Sequence, residues 1–284
     1  MSQISSHHTL AAQQQMMNVI NPATEQVIAQ LPCCSLEQVN QVIADATQAF
    51  KTWQYTNDAS INEIFLKIAN DLRQAQAEIA LMITQEQGKP LALAQFEVEA
   101  GAAWIEYLTT LTIPTTIVEE PSGKTVRVYH RPVGVVASIT PWNWPFMIAV
   151  WHLFPALKAR NCVVNKPSEY TPLSTLKLVE IMNRHLPPHV CQVVLGRGEV
   201  GQALSSHPDI AKVTFTGSTA TGQSVLRASV DSLKSVVLEL GGNDVAIVLD
   251  NAQLEQAVQG IFASAFLNAG QTCVAPDYVL AHED

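Results

Sequence analysis

The chain has 284 residues, enough for one large domain or two ordinary domains with real cores. Its 25 acidic and 16 basic side chains give a net charge of −9, which disfavours a nucleic-acid partner, because such partners bind basic surfaces. Hydrophobic residues make up 48% and charged residues only 14%, a balance that predicts extensive burial, including subunit contacts.

The five cysteines lack the spacing of a disulfide framework or a zinc site, and the histidines show no ligand spacing, so we expect no metal. Residues 1–17 are polar, without the charged-then-apolar order of a signal peptide, and are expected to be a disordered lead-in. No apolar run approaches the ~20 residues of a membrane helix. We therefore expect a cytoplasmic protein that does not associate with membranes.

The first hundred residues predict a short hairpin followed by a helical layer. Residues 19–29 contain two strand-forming runs around an Asn-Pro turn. Ser35 begins a capping-box pattern, and apolar residues at helical spacing continue to Phe50. Further helical regions are predicted over 60–87 and 90–111.

Residues 125–131 alternate strictly between apolar and polar side chains and lie between turn-forming segments. This pattern predicts an exposed strand. We interpret 118–132 as a β-ribbon, of the kind that serves as an oligomerisation arm.

From residue 133 onward, short β-branched apolar runs alternate with helical segments. The alternation predicts an α/β fold with a doubly wound, Rossmann-like parallel sheet, whose ligand crevice lies at the carboxyl ends of its strands. The predicted strands are 133–139, 162–165, 190–195, 211–216, 235–239 and 245–249, and the predicted helices between them are 146–160, 172–185, 200–205 and 219–228.

Four short strings follow predicted strands, and a fifth follows the apolar, helix-like segment 257–267. The fifth presents the thiol of Cys273 on a turn, and a thiolate attacks carbonyl carbon well. The alternative is a buried, inert cysteine, since free cysteines are among the most buried residues. The five strings are Thr140-Pro141-Trp142-Asn143-Trp144-Pro145, Lys166-Pro167-Ser168-Glu169, Phe215-Thr216-Gly217-Ser218-Thr219, Glu239-Leu240-Gly241-Gly242-Asn243 and Asn268-Ala269-Gly270-Gln271-Thr272-Cys273.

In order and spacing, these strings resemble the NAD(P)-dependent aldehyde dehydrogenase superfamily from about Asn21 to the last residue. The resemblance implies that Cys273 forms a thiohemiacetal with an aldehyde, that hydride passes to the nicotinamide, and that water hydrolyses the resulting thioester. It also implies that the Asn143 side chain and the Cys273 backbone N–H stabilise the oxyanion. Glu239 would be the general base that activates water.

Each of these roles has a structural alternative. Asn143 can simply close a turn before Pro145, and Glu239 can be a capping or ion-pairing residue. If Glu239 is the base, it favours hydrolysis to a free acid over acyl transfer to coenzyme A, because the acylating relatives typically lack this base.

The resemblance also implies an NAD site. Gly217 and Ser218 open a helix whose N-terminus would hold the pyrophosphate. Lys166 and Glu169 would flank the adenosine ribose, where a carboxylate repels a 2′-phosphate, so we predict NAD over NADP. Alternatively, residues 166–169 are an ordinary helix start capped by Ser168. The predicted cofactor-binding residues are Thr140, Pro141, Trp142, Lys166, Ser168, Glu169, Phe215, Gly217, Ser218, Leu240 and Gly241, together with Gly201 from a Gly-x-Gly-x-x-Gly match at another strand end.

We assign 18–240 to an NAD-binding domain with N-terminal helices and 241–284 to the start of a catalytic domain. Relatives continue past the cysteine with a Glu-x-Phe-Gly-Pro string and a strand that joins a partner subunit, so we expect a fragment of a protein that forms homodimers or homotetramers. By itself, the chain is expected to bind NAD weakly and to turn over little or nothing. Its substrate would be a small aldehyde. Trp144, Met147 and the string 273–278 hint that this aldehyde is apolar or aromatic.

Two other functions stay open at this point. The first is an acylating or reductive relative that acts on acyl phosphates or acyl coenzyme A. The second is a non-catalytic NAD-binding or subunit-interaction fragment.

Overall fold

The computed structural model of the chain describes residues 15–119 and 122–283. In chain order, its strands and helices are β1 (Met16–Ile20), β2 (Val27–Pro32), α1 (Leu36–Trp53), α2 (Asp58–Gln74), α3 (Gln76–Gln87), α4 (Leu91–Thr110), β3 (Thr116–Glu119), β4 (Thr125–Val128), β5 (Val135–Ile139), α5 (Pro145–Lys158), β6 (Cys162–Lys166), α6 (Leu173–Met182), β7 (Cys191–Val193), α7 (Gly198–Ser206), β8 (Ile210–Thr216), α8 (Thr219–Ser229), β9 (Ser235–Glu239), β10 (Asp244–Val248), α9 (Leu254–Phe266) and β11 (Pro276–Ala281).

The centre of the fold is a parallel sheet of five strands in the order β7-β6-β5-β8-β9. All residues of β5 and β6 are buried, as expected for strands covered by helices on both faces. The predicted doubly wound fold is therefore confirmed. The strand order reverses between β5 and β8, and such a switch point opens a crevice at the carboxyl ends of the two strands.

The prediction was wrong about one strand. The run 245–249 was expected in the central sheet, but β10 pairs in parallel with β11 in a separate two-stranded sheet, and α9 connects the two. An apolar β-branched run predicts a strand without identifying its partner, since pairing is set by tertiary contacts.

The helical layer begins as predicted. Ser35 caps α1 in a capping box with Gln38. The region predicted as one helix over 60–87 is two helices, α2 and α3, separated at Ala75. Phe65 of α2 makes an edge-to-face contact with Phe154 of α5, with ring centroids 5.0 Å apart, which joins this layer to the sheet.

Two antiparallel ribbons lie outside the central sheet. The predicted N-terminal hairpin is β1–β2, and because β1 begins at Met16 the lead-in predicted for 1–17 is too long. The rest of that lead-in, 1–14, is outside the described residues. The ribbon predicted at 118–132 is β3–β4, which starts at Thr116 and ends at Val128. Its role as an oligomerisation arm stays a prediction, as do the domain boundaries.

Across residues 15–119 and 122–283, no helix combines the length and the apolar character needed to cross a membrane.

Candidate active site

The predicted cofactor strings meet at one edge of the central sheet. Thr140, Gly217 and Leu240 follow the adjacent parallel strands β5, β8 and β9. The Thr140 N–H donates to the Lys166 carbonyl over 3.1 Å, and the Gly217 N–H donates to the Glu239 carbonyl over 3.0 Å. These bonds extend the sheet pairing into the loops, so the strings that follow the strands lie side by side.

The edge is shaped like an anion-binding site. Ser218 caps α8 by accepting from the Thr221 N–H, and a helix N-terminus favours negative charge. A Cβ on Gly217 would lie 2.6 Å from the Phe215 ring, so any larger residue would have to displace this buried ring. The buried hydroxyl oxygen of Thr140 has no hydrogen-bond partner among the described residues. An unpaired polar atom beside a glycine turn fits a dinucleotide at this edge.

Lys166 and Glu169 form the predicted ribose side of this edge. The Lys166 ammonium lies 3.7 Å from a Glu169 carboxylate oxygen. Lys166 is buried, and this desolvation lowers the pKa of its ammonium. A Cβ on Gly201 would be 3.7 Å from the Lys166 side chain, so the start of α7 lines the same place.

Ser168 does not cap a helix, contrary to the alternative interpretation. The helix after this string, α6, begins at Leu173, and the Ser168 hydroxyl accepts from the Tyr170 N–H. The Glu86 carboxylate of α3 instead accepts from the N–H groups of Leu173 and Ser174, at 2.6 and 3.0 Å. Burial raises the pKa of Glu86 to about 7. A cap supplied from 87 positions upstream leaves no local sequence signal.

Cys273 is exposed, so it is not the buried cysteine of the alternative interpretation. Cys162 and Cys191 are buried, and desolvation raises the pKa of each thiol to about 12. After α9 the chain turns sharply, with Asn268 and Ala269 in the left-handed region at φ 55° and 57°. Such φ values are uncommon outside glycine and require support from surrounding contacts.

Hydrogen bonds join the cysteine loop, residues 267–275, to the loop after β5. The Asn143 side-chain amide donates to the Gln271 carbonyl over 2.9 Å. In return, the Asn268 side-chain amide donates to the Asn143 carbonyl over 2.8 Å. The Trp144 indole N–H donates to the Thr272 hydroxyl over 3.0 Å. Two strings more than a hundred residues apart in sequence are therefore held together.

Glu239 is less closely tied to this loop. Its backbone carbonyl accepts from the Gly217 N–H at the cofactor edge, and its side chain is exposed. Within the described residues, no hydrogen bond joins its carboxylate to the cysteine loop. Its role as the general base stays a prediction.

A model of the aldehyde dehydrogenase family matches residues 9–284. The chain belongs to this family. The curated relatives include phenylacetaldehyde dehydrogenase of Pseudomonas fluorescens, 40% identical over 94% of this chain and 56% of the relative. Another is the mitochondrial succinate-semialdehyde dehydrogenase of Arabidopsis thaliana, 39% identical over 94% of this chain and 52% of the relative.

Solved structures of the family superpose closely. PnpE from Pseudomonas sp. WBC-3 has a TM-score of 0.91 at 36% identity, covers 95% of this chain, and is matched over 56% of its own length. An Escherichia coli NADP dependent enzyme has a TM-score of 0.92 at 35% identity, with coverages of 95% and 57%. The chain thus spans slightly more than half the length of these aldehyde dehydrogenases.

In this member of the family, the helical layer supports the site through residues that the sequence did not predict. The Gln87 amide donates to the Gln271 side chain over 2.8 Å. Lys89 and Glu97 form a buried ion pair beneath Asn143, at 2.6 Å. In the sequence, the pair is a lysine within a Gly-Lys-Pro turn and a glutamate eight residues later in an apolar stretch. This pattern is equally typical of a solvated surface.

Two further expectations concern nearby side chains. Met147 is buried, and the Trp144 ring lies under the Lys89 ammonium. A contribution of these two side chains to a substrate pocket stays a prediction. His152 is buried between Ser138 and Thr216, and desolvation lowers its pKa to about 4. The described part of the chain contains no cluster of potential metal ligands.

Proposed function

We propose that the whole protein oxidises an aldehyde to a carboxylic acid, with NAD as the hydride acceptor. The observation that carries this proposal is the hydrogen-bonded junction between the cysteine loop and Asn143. It brings an exposed thiol and an amide donor into the same neighbourhood, next to an edge that fits a dinucleotide. That pairing is what covalent oxidation of a carbonyl requires.

The chemistry assigns one task to each group. The Cys273 sulfur attacks the carbonyl carbon, and the charge that develops on oxygen is stabilised by N–H donors from Asn143 and the Cys273 backbone. An amide carries two N–H bonds, so the bond to Gln271 leaves one for this oxygen. Loss of hydride from this carbon to bound NAD would leave a thioester on Cys273. Glu239 would then take a proton from the water that attacks the thioester and return it to the departing sulfur, which releases the acid and restores the thiol.

We propose NAD rather than NADP because of Glu169. Its carboxylate is partly exposed at the ribose side of the edge and would repel a 2′-phosphate. Family members differ in this respect: PnpE has been crystallised with nicotinamide adenine dinucleotide, and the Escherichia coli neighbour is described as NADP dependent. Replacing Glu169 by Gln removes the repulsion while preserving size. We expect the NAD/NADP affinity ratio to fall about tenfold, measured by titration calorimetry, and an unchanged ratio would contradict the assignment.

A turnover assay tests the proposed reaction. The purified chain is supplied with NAD and with phenylacetaldehyde or succinate semialdehyde, and NADH formation is measured. We expect little NADH from the chain alone, because it spans only slightly more than half the length of its relatives. Whatever NADH forms should be lost in Cys273→Ala and retained in Cys34→Ala. Coenzyme A is added in a parallel reaction, and formation of acyl-CoA in place of the free acid would favour the acylating alternative. NADH formation that persists in Cys273→Ala would contradict the proposal.

A second candidate is NAD binding without turnover, in a subunit-interaction role. It is favoured by α9, where none of the residues is buried. The two candidate functions differ in their need for the Cys273 thiol. Oxidation of an aldehyde requires it, whereas NAD binding alone does not.

Assembly and location follow as further proposals. The exposed β3–β4 ribbon suits a contact between copies of the chain in a homo-oligomer, which light scattering would measure. The five cysteines lack the spacing of a disulfide framework, which is compatible with the reducing environment of the cytoplasm. The anionic charge argues against nucleic acid or an anionic membrane surface as a partner.

A further inference from the structure

A buried ion pair lies directly beneath the loop that carries Asn143. Lys89 lies in the turn between α3 and α4, and Glu97 lies in α4. Their charged groups are 2.6 Å apart, and both side chains are 0% exposed. A buried ion pair of this kind costs desolvation energy, so it persists only where further hydrogen bonds satisfy both partners.

The other contacts of the Lys89 ammonium are with the peptide that joins Asn143 and Trp144. Its ammonium donates to the Asn143 carbonyl over 3.0 Å and lies 3.8 Å from the centre of the Trp144 ring. Those two residues contain the predicted oxyanion donor and the indole that binds Thr272. Lys89 therefore holds the peptide that connects both groups.

Glu97 fixes the chain immediately after this peptide. The carboxylate oxygen that does not bind Lys89 accepts from the N–H groups of Phe146 and Met147, over 3.1 and 3.0 Å. These groups belong to the first turn of α5, which has no side-chain cap of its own. The ion pair therefore holds the Asn143 loop at two points. Lys89 binds the Asn143 carbonyl, and Glu97 binds the first turn of α5, which follows the loop.

The effect of the pair extends to the cysteine loop. The Asn143 carbonyl accepts from Lys89 and also from the side chain of Asn268, so one oxygen joins the buried pair to the loop. Asn268 is one of the two left-handed residues that need support. If the Asn143 peptide moved, the loop would lose the bonds that keep it in this conformation.

We propose that Lys89 and Glu97 are positioning residues, which fix the Asn143 amide and the cysteine loop in one arrangement for attack on the carbonyl. Neither residue touches the substrate in this role. The catalytic consequence depends on the proposed aldehyde oxidation, whereas the effect on loop order does not.

Hydrogen exchange of the full chain tests the positioning directly. Lys89→Met removes the ammonium at similar length, and Lys89→Arg restores a cation. We expect exchange in a peptide covering 267–275 to accelerate about tenfold in Lys89→Met, with partial recovery in Lys89→Arg and little change in a peptide covering β6. Because Lys89→Met leaves a buried unpaired carboxylate, the double variant Lys89→Met/Glu97→Gln is measured as well, and it should show the same local acceleration with better folding.

Arg160→Met is the matched control. Arg160 lies just beyond the opposite end of α5 and pairs with Asp58 at 2.6 Å, so its loss destabilises the same layer without touching the Asn143 loop. Acceleration confined to 267–275 in the Lys89 variants, and absent from Arg160→Met, supports the proposal. Equal exchange in wild type and Lys89→Met would overturn it, as would the same local acceleration in the control.

Kinetics give the second readout. In a chain that oxidises aldehydes, we expect Lys89→Met to lower kcat by about 10²-fold with KM changed less than about threefold, because the aligned donor acts mainly in the transition state. A rise in KM alone would contradict a positioning role. If NADH formation persists in Cys273→Ala, the proposed reaction fails, yet the exchange comparison still decides whether the pair orders the loop.

Discussion

The two ends of the site are stabilised by different interactions. At the cofactor edge, β5 and β6 are wholly buried, and Phe154 of α5 packs against Phe65 of the helical layer. At the cysteine end, α9 has no buried residue, and β10 and β11 pair only with each other in the described structure. Apolar burial stabilises the first end, and directed hydrogen bonds hold the second.

Because of this difference, the stability of the chain and the alignment of the cysteine loop should respond to different substitutions. Substitutions in the core should unfold the chain, whereas substitutions around the cysteine loop should misalign it without unfolding it. Four predictions test this separation.

The largest contrast in stability is between two phenylalanines. Phe154 is fully buried, and Phe154→Ala should lower the free energy of unfolding by about 3–5 kcal/mol. Phe262 of α9 is 66% exposed, and Phe262→Ala should change it by less than about 0.5 kcal/mol. Urea unfolding measures both. Equal losses would show that α9 is as well packed as the core.

Thiol reactivity should differ strongly between the two ends. Cys162 and Cys191 are buried with their thiol pKa raised to about 12, whereas Cys273 is exposed. With iodoacetamide near neutral pH, we expect Cys273 to alkylate at least about 10²-fold faster than either buried thiol. Peptide mass spectrometry follows each site, and Cys34, which is partly buried, serves as an intermediate reference. Comparable rates at Cys273 and Cys162 would remove the contrast.

The pH dependence of stability should be dominated by buried groups of the well-packed end. Burial raises the pKa of Glu86 from its ordinary 4.5 to about 7, so its contribution is fully present below about pH 4.5 and is lost as pH rises through about 7. Burial lowers the pKa of His152 from 6.5 to about 4, so its contribution is present above about pH 6.5 and is lost as pH falls through about 4. The two slopes oppose each other.

Glu86→Gln should expose the slope of His152. The free energy of unfolding is compared at about pH 5 and about pH 8 in each protein. The change between these pH values should be more favourable in the variant than in the wild type by ~1–3 kcal/mol. Melting temperatures at the two pH values measure the difference. A variant that parallels the wild type would show that Glu86 ionises as an ordinary carboxyl does.

The smallest effect compares two glycines of the cofactor edge. A Cβ at position 217 would meet the Phe215 ring at 2.6 Å, whereas one at position 201 would make only ordinary contacts at 3.7 Å. Gly217→Ala should cost about 1–3 kcal/mol, and Gly201→Ala, inside α7, should be neutral or stabilising by up to about 1 kcal/mol. Thermal unfolding compares them, and the opposite order would contradict a tightly built edge.

The sequence predicted the parts of the fold that depend on local pattern. The apolar runs at β5, β6, β8 and β9 and the capping box at Ser35 identified the sheet and the first helix, because periodicity and caps are local properties. The pairing of β10 with β11 could not be predicted in the same way, because the local sequence of a strand does not specify which strand it pairs with.

The site was predictable to a similar extent. Strings at strand ends indicated Asn143 and Gly217 as candidates, and a string after a helical segment indicated Cys273. Lys89 and Glu97 were missed because a lysine in a turn and a glutamate in a helix are usually solvated, and only tertiary packing buries these two side chains at 0% exposure. The helix cap by Glu86 was missed for the same reason: it acts on a helix remote in sequence.

The central claim, that Cys273 is the nucleophile of an oxidation, is tested most directly by trapping the acyl group. Glu239→Gln should form the thioester and hydrolyse it slowly, so incubation with NAD and an aldehyde should leave an acyl group on Cys273 alone, detected by peptide mass spectrometry. The same variant without NAD should carry no acyl group. An acyl group on another cysteine, or none on Cys273 while NADH accumulates, would contradict the claim.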